Sequence, residues 1–390
     1  MGPEGGGHMG MSPHPAGQNV QDHLTVMQNL SEQLKAVKLR KSKEPTKDFS
    51  DPKTAGFIDT EVIKQYESSV LEVNTENWLE ILSTETFPSH LCPLTLEDAQ
   101  LFLDVYTRNY KDKDTSVVIQ TEWRDTLSEG EQIRVKELAE RLQSSINIFT
   151  KGGGCVFVKT SSRSAKDAPM VQTHFKDLYK RYLSKNNEEE RQNENTQVTC
   201  LLQAAFEAMK VSTAEQVLDM FMRSERIYQD LLLAAVNQKE VYNEHFVIRE
   251  FVDIDVDKEF RGFIYKKNLT ALSQYNYLIY SKWIADNKDW IQSTILEYYM
   301  DVVRPKLTEG KFVEDLIIDF AVCDEGWYTC RKIWVIEINP FLETTDGALF
   351  SWQHEKHLLE GTEGFLFRYT ERPRPGAKTM LPQSVRELLR

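Results

Sequence analysis

Two short apolar runs near the C-terminal end, Leu316-Ile-Ile-Asp-Phe-Ala-Val322 and Ile333-Trp-Val-Ile-Glu-Ile338, each hold a carboxylate among residues that favour burial. A carboxylate in such a strand must be paired, protonated or bound to a metal, because burying it alone is too costly. In Val335-Ile-Glu-Ile-Asn339 alternate side chains share a face, so Glu337 and Asn339 point the same way. A turn containing Gly326 suits a hairpin, and pairing the strands brings Asp319 onto that face. Two carboxylates and one amide oxygen form a hard oxygen cluster, suited to Mg²⁺ held together with nucleotide phosphates. The plain alternative is the polar face of a half-exposed hairpin.

The remaining pattern places these strands in a mixed chain. At roughly 150 residues per domain, 390 residues give two to three folded units. With 41% apolar and 11% aromatic residues the chain can fill a sizeable core. A net charge of -13 argues against bulk nucleic-acid binding, which rests on neutralising phosphates. No apolar run approaches the ~20 residues that span a bilayer. Five scattered cysteines without a Cys-x-x-Cys pair exclude a disulfide framework and give no zinc spacing. The opening MGPEGGGHMG reads as a tag remnant with no signal sequence behind it, and a cytoplasmic monomer is expected.

Residues 11 to about 55 are polar, with an amphipathic helix expected from Val20 to Val37 and a basic stretch from Lys35 to Lys43. Thr95-Leu-Glu-Asp98 and Ser128-Glu-Gly-Glu131 resemble capping boxes in a helix-rich region reaching Ile148. Cys155-Val-Phe-Val-Lys159 is a strand, followed by a helix over 171–183. The charged run 185–195 reads as a solvated, mobile loop, and helix resumes over 197–236. Strands then dominate: Phe246 to Val252, and a hairpin of 260–265 with 269–275 turning at Lys266-Lys-Asn268. A helix over 283–303 should stop at Pro305. Two further clusters can carry chemistry. Lys159 ends a strand beside the hydroxyl-rich Thr160-Ser-Ser-Arg-Ser164 and Lys166, which suits phosphate oxygens, although exposed strand-end lysines are common. Arg249-Glu-Phe-Val-Asp253 with Glu259-Phe-Arg261 either presents backbone to a base, or is a chain of surface ion pairs worth under ~1 kcal/mol each.

Read in order, segments from Gly153 to Trp352 resemble the cell division cycle protein 123 family, which has an ATP-grasp fold. The resemblance runs through Cys155–Lys159 to Lys166-Asp-Ala168, Phe221–Leu231, Val247–Asp253, Glu259-Phe-Arg-Gly-Phe263 and Leu272-Ser-Gln-Tyr-Asn-Tyr277. It is strongest at Asp319, Ile336-Glu-Ile-Asn-Pro-Phe341, Glu343-Thr-Thr-Asp346, Leu349-Phe350 and Trp352. Lys166 stands where the family usually has Arg, Glu337 where it often has Asp, and Tyr275-Asn276 where it has Arg-Asp. The family's aromatic Trp-Tyr-Pro segment has no clear counterpart, and Phe87-Pro sits at a comparable place.

The resemblance implies ATP between two sheet-containing lobes. Lys159 would touch phosphate, with Lys166 and Arg261 nearby. Glu250, Phe251 and Val252 would offer hinge backbone to adenine, Asp253 would reach the ribose, and Asp319, Glu337 and Asn339 would hold Mg²⁺. Lys159, Arg261 and Glu337 are the candidates for any catalytic role. Replacing Asp319 or Asn339 by Ala is expected to weaken nucleotide binding with the fold intact. The expected fold is α+β and ATP-grasp-like: a tail over 1–55, a helix-rich region over 56–150, a first lobe over 151–245 with its acidic loop at 185–196, a second lobe over 246–370 holding the metal site, and a tail over 371–390. The family helps assemble eukaryotic initiation factor 2 by binding its gamma subunit, so an ATP-dependent assembly chaperone is expected. An ATP-grasp ligase acting on an unidentified acceptor and a nucleotide-independent scaffold are the other two readings.

Overall fold

The computed structural model describes residues 68–113, 121–168, 172, 174–237, 242–325, 330–381 and 385–386. The tail helix expected at 20–37 and the turn at Gly326 lie outside the described residues. Among the described residues the strands are β1 (Ser89–Leu94), β2 (Val156–Thr160), β3 (Glu244–Glu250), β4 (Glu259–Tyr265), β5 (Asn268–Gln274), β6 (Leu316–Glu325), β7 (Cys330–Pro340) and β8 (Leu366–Arg368). They form a three-stranded sheet in the order β1-β3-β2 and a five-stranded sheet in the order β7-β6-β4-β5-β8. Every pairing is antiparallel except β5 with β8.

Strand alternation gives the first sheet two faces of different character. Val156, Val158, Phe246, Ile248, Cys92 and Leu94 bury against Leu101, Phe102 and Val105 of helix Leu96–Asn109, and against helices Glu129–Thr150, Ala214–Arg223 and Glu225–Asn237. The two capping boxes form as expected, with Thr95 and Asp98 bonding reciprocally at one helix start and Ser128 and Glu131 at the other. The opposite face presents Phe157, Lys159, Val247 and Arg249, since Lys159 pairs with Val247 and Phe157 with Arg249. That face looks toward the second sheet.

In the second sheet Phe260, Leu272, Ile318, Phe320, Val335 and Ile338 pack on helix Lys282–Tyr298 and its continuation. The helix does not stop at Pro305. A π turn at Tyr299–Val303 leads into Arg304–Glu309, and Pro305 falls directly after that π turn, which accommodates it within the continuing helix. Val303 and Leu307 therefore both reach the core. The hairpin β4–β5 turns on Lys266 and Lys267, both at positive φ (49° and 63°), the geometry of a two-residue primed turn.

Several other elements differ from the reading of the sequence. The acidic run is no loop: Asn187 and Glu190 make a capping box for helix Glu188–Gln192, and Asn193 caps Glu194–Glu207. Glutamates at a helix start are favoured by the backbone dipole, so charge there supports the helix. The helix expected from 171 begins at Phe175, and the helical stretch over 197–236 is three helices, broken before Ala214 and at Ser224. Strand β3 ends at Glu250 and belongs to the first sheet, so the chain crosses between sheets at 251–258. The helix-rich N-terminal region contributes β1 to that sheet. The segment after Val73 ties the sheets together. Thr75 donates from both N and Oγ1 to the Ser161 carbonyl, Trp78 and Leu82 enter the second core, and Thr86 Oγ1 donates to the Val335 carbonyl at 2.8 Å.

Candidate functional site

The site begins with a β-bulge. Asp319 pairs with Glu337 and Phe320 with Val335, which leaves Ile336 without a partner on β6. A bulge inserts one residue and so reverses the alternation of side chains beyond it. Val335 and Ile338 both face the helical core, whereas Trp334 and Ile336 pack with Phe87, Ile254 and Ala321. Glu337 and Asn339 are thereby turned toward the first sheet. The carbonyl of the unpaired Ile336 accepts from Arg249 Nη1 at 2.6 Å, which docks β3 onto the bulge.

Asp319 is held by a two-pronged contact, with Arg261 Nε to Oδ1 and Nη2 to Oδ2 both at 2.8 Å. The two residues are 3% and 6% exposed, and β4–β6 pairing sets them opposite each other. Arg261 Nη1 donates to the Asp346 carbonyl at 2.7 Å, and Asn339 Nδ2 donates to Asp319 Oδ2 at 3.2 Å. Lys159, 3% exposed, faces Glu337 Oε1 at 3.8 Å across the gap between sheets. Lys166 lies at the exposed rim, donating to Tyr275 Oη at 2.8 Å. The Arg261 guanidinium stands 4.8 Å from the centre of the Tyr275 ring.

Lys159, Lys166, Arg261, Asp319, Glu337 and Asn339 thus meet at one seam between the sheets. The Arg261 fork is closed on Asp319, so its visible task is to hold that carboxylate. Removing Asp319 would leave a buried guanidinium unpaired, which corrects the expectation that Asp319→Ala spares the fold. Glu250 and Asp253 are exposed. The N–H groups of Glu250 and Phe251 are already bonded to the carbonyls of Pro88 and Cys155. Phe251 lies against Phe206, and Val252 packs in the apolar patch with Ile254 and Ile336, beside the bulge.

The charges of the seam tune one another. Burial would raise the Glu337 carboxyl, but Lys159, Lys166, Arg261 and Arg226 hold it below the usual carboxylate range. Burial pulls Lys159 down, with Glu337 opposing. Burial pulls Arg249 down to about 10, again against Glu337. Glu259 is pushed up to about 7, first by burial and then by Asp319 and Glu337, with Lys166 opposing. A carboxyl raised from 4.5 binds its proton more tightly when folded. Its contribution to stability is therefore complete at low pH and lost as pH rises through about 7. Glu259→Gln should gain in melting temperature relative to wild type between pH 5 and 8. Parallel melting curves across that range would show that Glu259 does not titrate there.

Arg249 and Glu259 fall in a cluster that the sequence singles out without giving them a role of their own at the site, and Arg226 is missed in the sequence. Arg249 had a usable signal, a charge inside the apolar run Phe246-Val-Ile-Arg249, the same one that marked Asp319. The perturbation of Glu259 arises from residues up to 93 positions away, including Lys166, and has no local signature. Among the described residues no three His, Cys, Asp or Glu side chains gather as a metal site. The candidate cation donors are two carboxylates and one amide. No described helix is long and apolar enough to cross a membrane.

Two sheets with a charged seam between them define an α+β class already seen in a solved structure. C-terminally truncated Cdc123 from Schizosaccharomyces pombe is similar with a TM-score of 0.53 and 19% identity, over 78% of this chain and 97% of that one. The sequence model of the D123 family matches residues 201–386 of the chain. That match includes Arg249, Arg261, Asp319, Glu337 and Asn339, while Lys159 and Lys166 lie before it. Among curated relatives, the translation initiation factor eIF2 assembly protein of Xenopus laevis is 29% identical over 156 residues, covering 36% of this chain and 44% of that protein. The protein of the same name from Danio rerio is 22% identical over 222 residues, covering 56% and 51%. The chain thus spans about half the length of the curated relatives it matches.

Proposed function

We propose that the chain is a Mg-ATP-binding protein with an ATP-grasp arrangement, serving in the cytoplasm as an assembly chaperone for eukaryotic translation initiation factor 2 through its gamma subunit. One observation carries the nucleotide half of this reading. In a chain of net charge -13, Lys159, Lys166, Arg226 and Arg249 converge on a single seam, and the buried Arg249 Nη2 has no acceptor among the described residues. A buried charged donor without an acceptor is costly, and an anionic oxygen is the group that satisfies it. The naming of the relatives as eIF2 assembly proteins supports the partner half.

The donor set suits the proposed ligand. Asp319 Oδ1 accepts one bond, from Arg261, and keeps a second lone pair, while Oδ2 accepts from both Arg261 and Asn339. With Glu337 and the Asn339 side-chain carbonyl, that is the small oxygen set Mg²⁺ takes alongside phosphates. Bound Mg²⁺ would neutralise phosphate charge that otherwise faces two carboxylates. Lys159 holds phosphate oxygens as a point charge, and Lys166 closes the rim when released from Tyr275. Val252, Ile254 and Ile336 give the base an apolar surface, with Asp253 placed for the ribose.

In a chaperone the nucleotide acts as a wedge that fixes the two sheets so that a partner surface forms. Its stabilisation follows mass action, about 2.7 kcal/mol at a hundredfold excess over Kd, with no turnover needed. A second reading, an ATP-grasp ligase, is favoured by Glu259. A carboxyl poised near neutrality beside Lys166 is suited to proton transfer, with Lys159, Arg261 and Glu337 around the phosphates. The test combines the purified protein with the gamma subunit and a non-hydrolysable ATP analogue. The chaperone reading expects a stable complex and no nucleotide consumption above background. Steady release of ADP or AMP that depends on one added acceptor, and is lost in Glu259→Gln, would replace it with the ligase.

A further inference from the structure

A second cluster of oxygen atoms lies where β3 begins. Strand alternation turns Glu244 to the side of Phe246 and Ile248, opposite to Arg249, and five residues of strand put roughly 16 Å between the two. Asn74, on the segment that ties the sheets, sends its Nδ2 to two carboxylates, Glu76 Oε1 at 3.3 Å and Glu244 Oε1 at 3.4 Å. Acceptors outnumber donors there. Asn74 Oδ1, Glu76 Oε2 and Glu244 Oε2 are all buried, and none of them receives a hydrogen bond among the described residues. Asn74 and Glu244 are 4% and 5% exposed, so bulk water does not reach them. The Tyr242 hydroxyl beside Glu244 is likewise buried and unbonded.

The neighbouring charges deepen the deficit. Burial, then Asp230 and Glu76, push the Glu244 carboxyl well above the usual carboxylate range. Asp230 is already served, since it accepts from Thr160 Oγ1 at 2.6 Å and from Ser162 Oγ, with Arg163 Nε at 3.7 Å. Glu244 has no such partner. A buried carboxylate in that position takes up a proton or a cation, and the orphaned amide oxygen of Asn74 favours the cation.

We infer that Glu244, Glu76 and Asn74 form a binding site for a hard divalent cation of the Ca²⁺ kind, separate from the seam and independent of the nucleotide reading. Two carboxylates and an amide carbonyl from separate elements, with no phosphate to share, are donors that Ca²⁺ takes in its flexible shell of six to eight oxygens. Glu76 is half-buried and leaves the ion a way in from solvent. The bound ion would fasten helix Thr75–Trp78 to the start of β3, joining residues 170 positions apart.

Calorimetry with Ca²⁺ alone, in the absence of nucleotide, tests this on wild type, Glu244→Gln, Glu76→Gln and Asn339→Ala. Wild type should bind one Ca²⁺ saturably, and its melting temperature should rise with Ca²⁺ concentration. Glu244→Gln and Glu76→Gln should each weaken that binding at least about tenfold, the loss seen even when a side chain one step removed from a metal is changed. Asn339→Ala, in the seam, should leave it unchanged. A wild type that binds no Ca²⁺ would mean that Glu244 holds a proton instead, and would overturn the inference. Ca²⁺ binding that survives Glu244→Gln and is lost in Asn339→Ala would place the ion in the seam, overturning the inference and leaving the seam's cation reading standing. Should Glu244→Gln fail to melt cooperatively, long-wavelength anomalous diffraction from wild-type crystals grown with Ca²⁺ decides. An ion about 2.3–2.6 Å from Glu244 Oε2 and Asn74 Oδ1 supports the inference, and no anomalous peak between them refutes it.

Discussion

Asp319→Ala should destabilise the protein by about 3–5 kcal/mol, the cost of leaving one partner of a buried ion pair uncompensated. Against the total of roughly 5–15 kcal/mol typical of a folded domain, that is a large fraction. The cause is local. Arg261 is 6% exposed, two of its three donor groups end on Asp319, and β4 and β6 hold the residues face to face. The urea midpoint should fall with an unchanged slope, as a stability change requires. Replacing both partners, with Arg261→Met and Asp319→Leu together, should recover most of the loss. A double-mutant cycle isolates that coupling. If Asp319→Ala melts at the same urea concentration as wild type, the ion pair is not the structural clamp described. One consequence is practical: Asn339→Ala and Glu337→Gln are the cleaner probes of the proposed cation site, because neither strands Arg261.

Lys159 should behave in the opposite way. Burial pulls its pKa down, so the ammonium is held at a cost, with Glu337 at 3.8 Å as its facing carboxylate. Glu337 keeps Lys166, Arg261 and Arg226 when Lys159 is gone. Lys159→Met keeps the apolar stem and should therefore not lower the melting temperature. Mg-ATP affinity should nevertheless fall about 10- to 100-fold, since a charge-assisted hydrogen bond contributes roughly 1.5–3 kcal/mol. A Lys159→Met protein that binds Mg-ATP like wild type would return Lys159 to the role of a structural ion-pair partner.

The contrast between these two residues shows what could be read from the sequence. Both strands that carry Asp319, Glu337 and Asn339 were legible, because a carboxylate in an apolar run demands an explanation and strand alternation says which neighbours share its face. The β4–β5 turn was legible for the same local reason. What closed on Asp319 was not. Arg261 reaches it only through the pairing of β4 with β6, a contact between residues 58 apart. The bulge at Ile336 was hidden too, because it depends on how β7 meets its partner. Strand β1 escaped because Pro93 cannot donate to a ladder and reads as loop. In the structure Pro93 is exposed on an edge strand, where that defect does no harm. The acidic run misled because charge was weighed and the caps at Asn187 and Asn193 were not.

The central claim is that the seam binds ATP through a divalent cation. Titration calorimetry of ATP into the wild-type protein, with Mg²⁺ and then with chelator, tests it most directly. Saturable binding that needs Mg²⁺, and that weakens in Asn339→Ala without a change in melting temperature, is the predicted result. ATP affinity that is the same in Mg²⁺ and in chelator, or no binding in either, would contradict it.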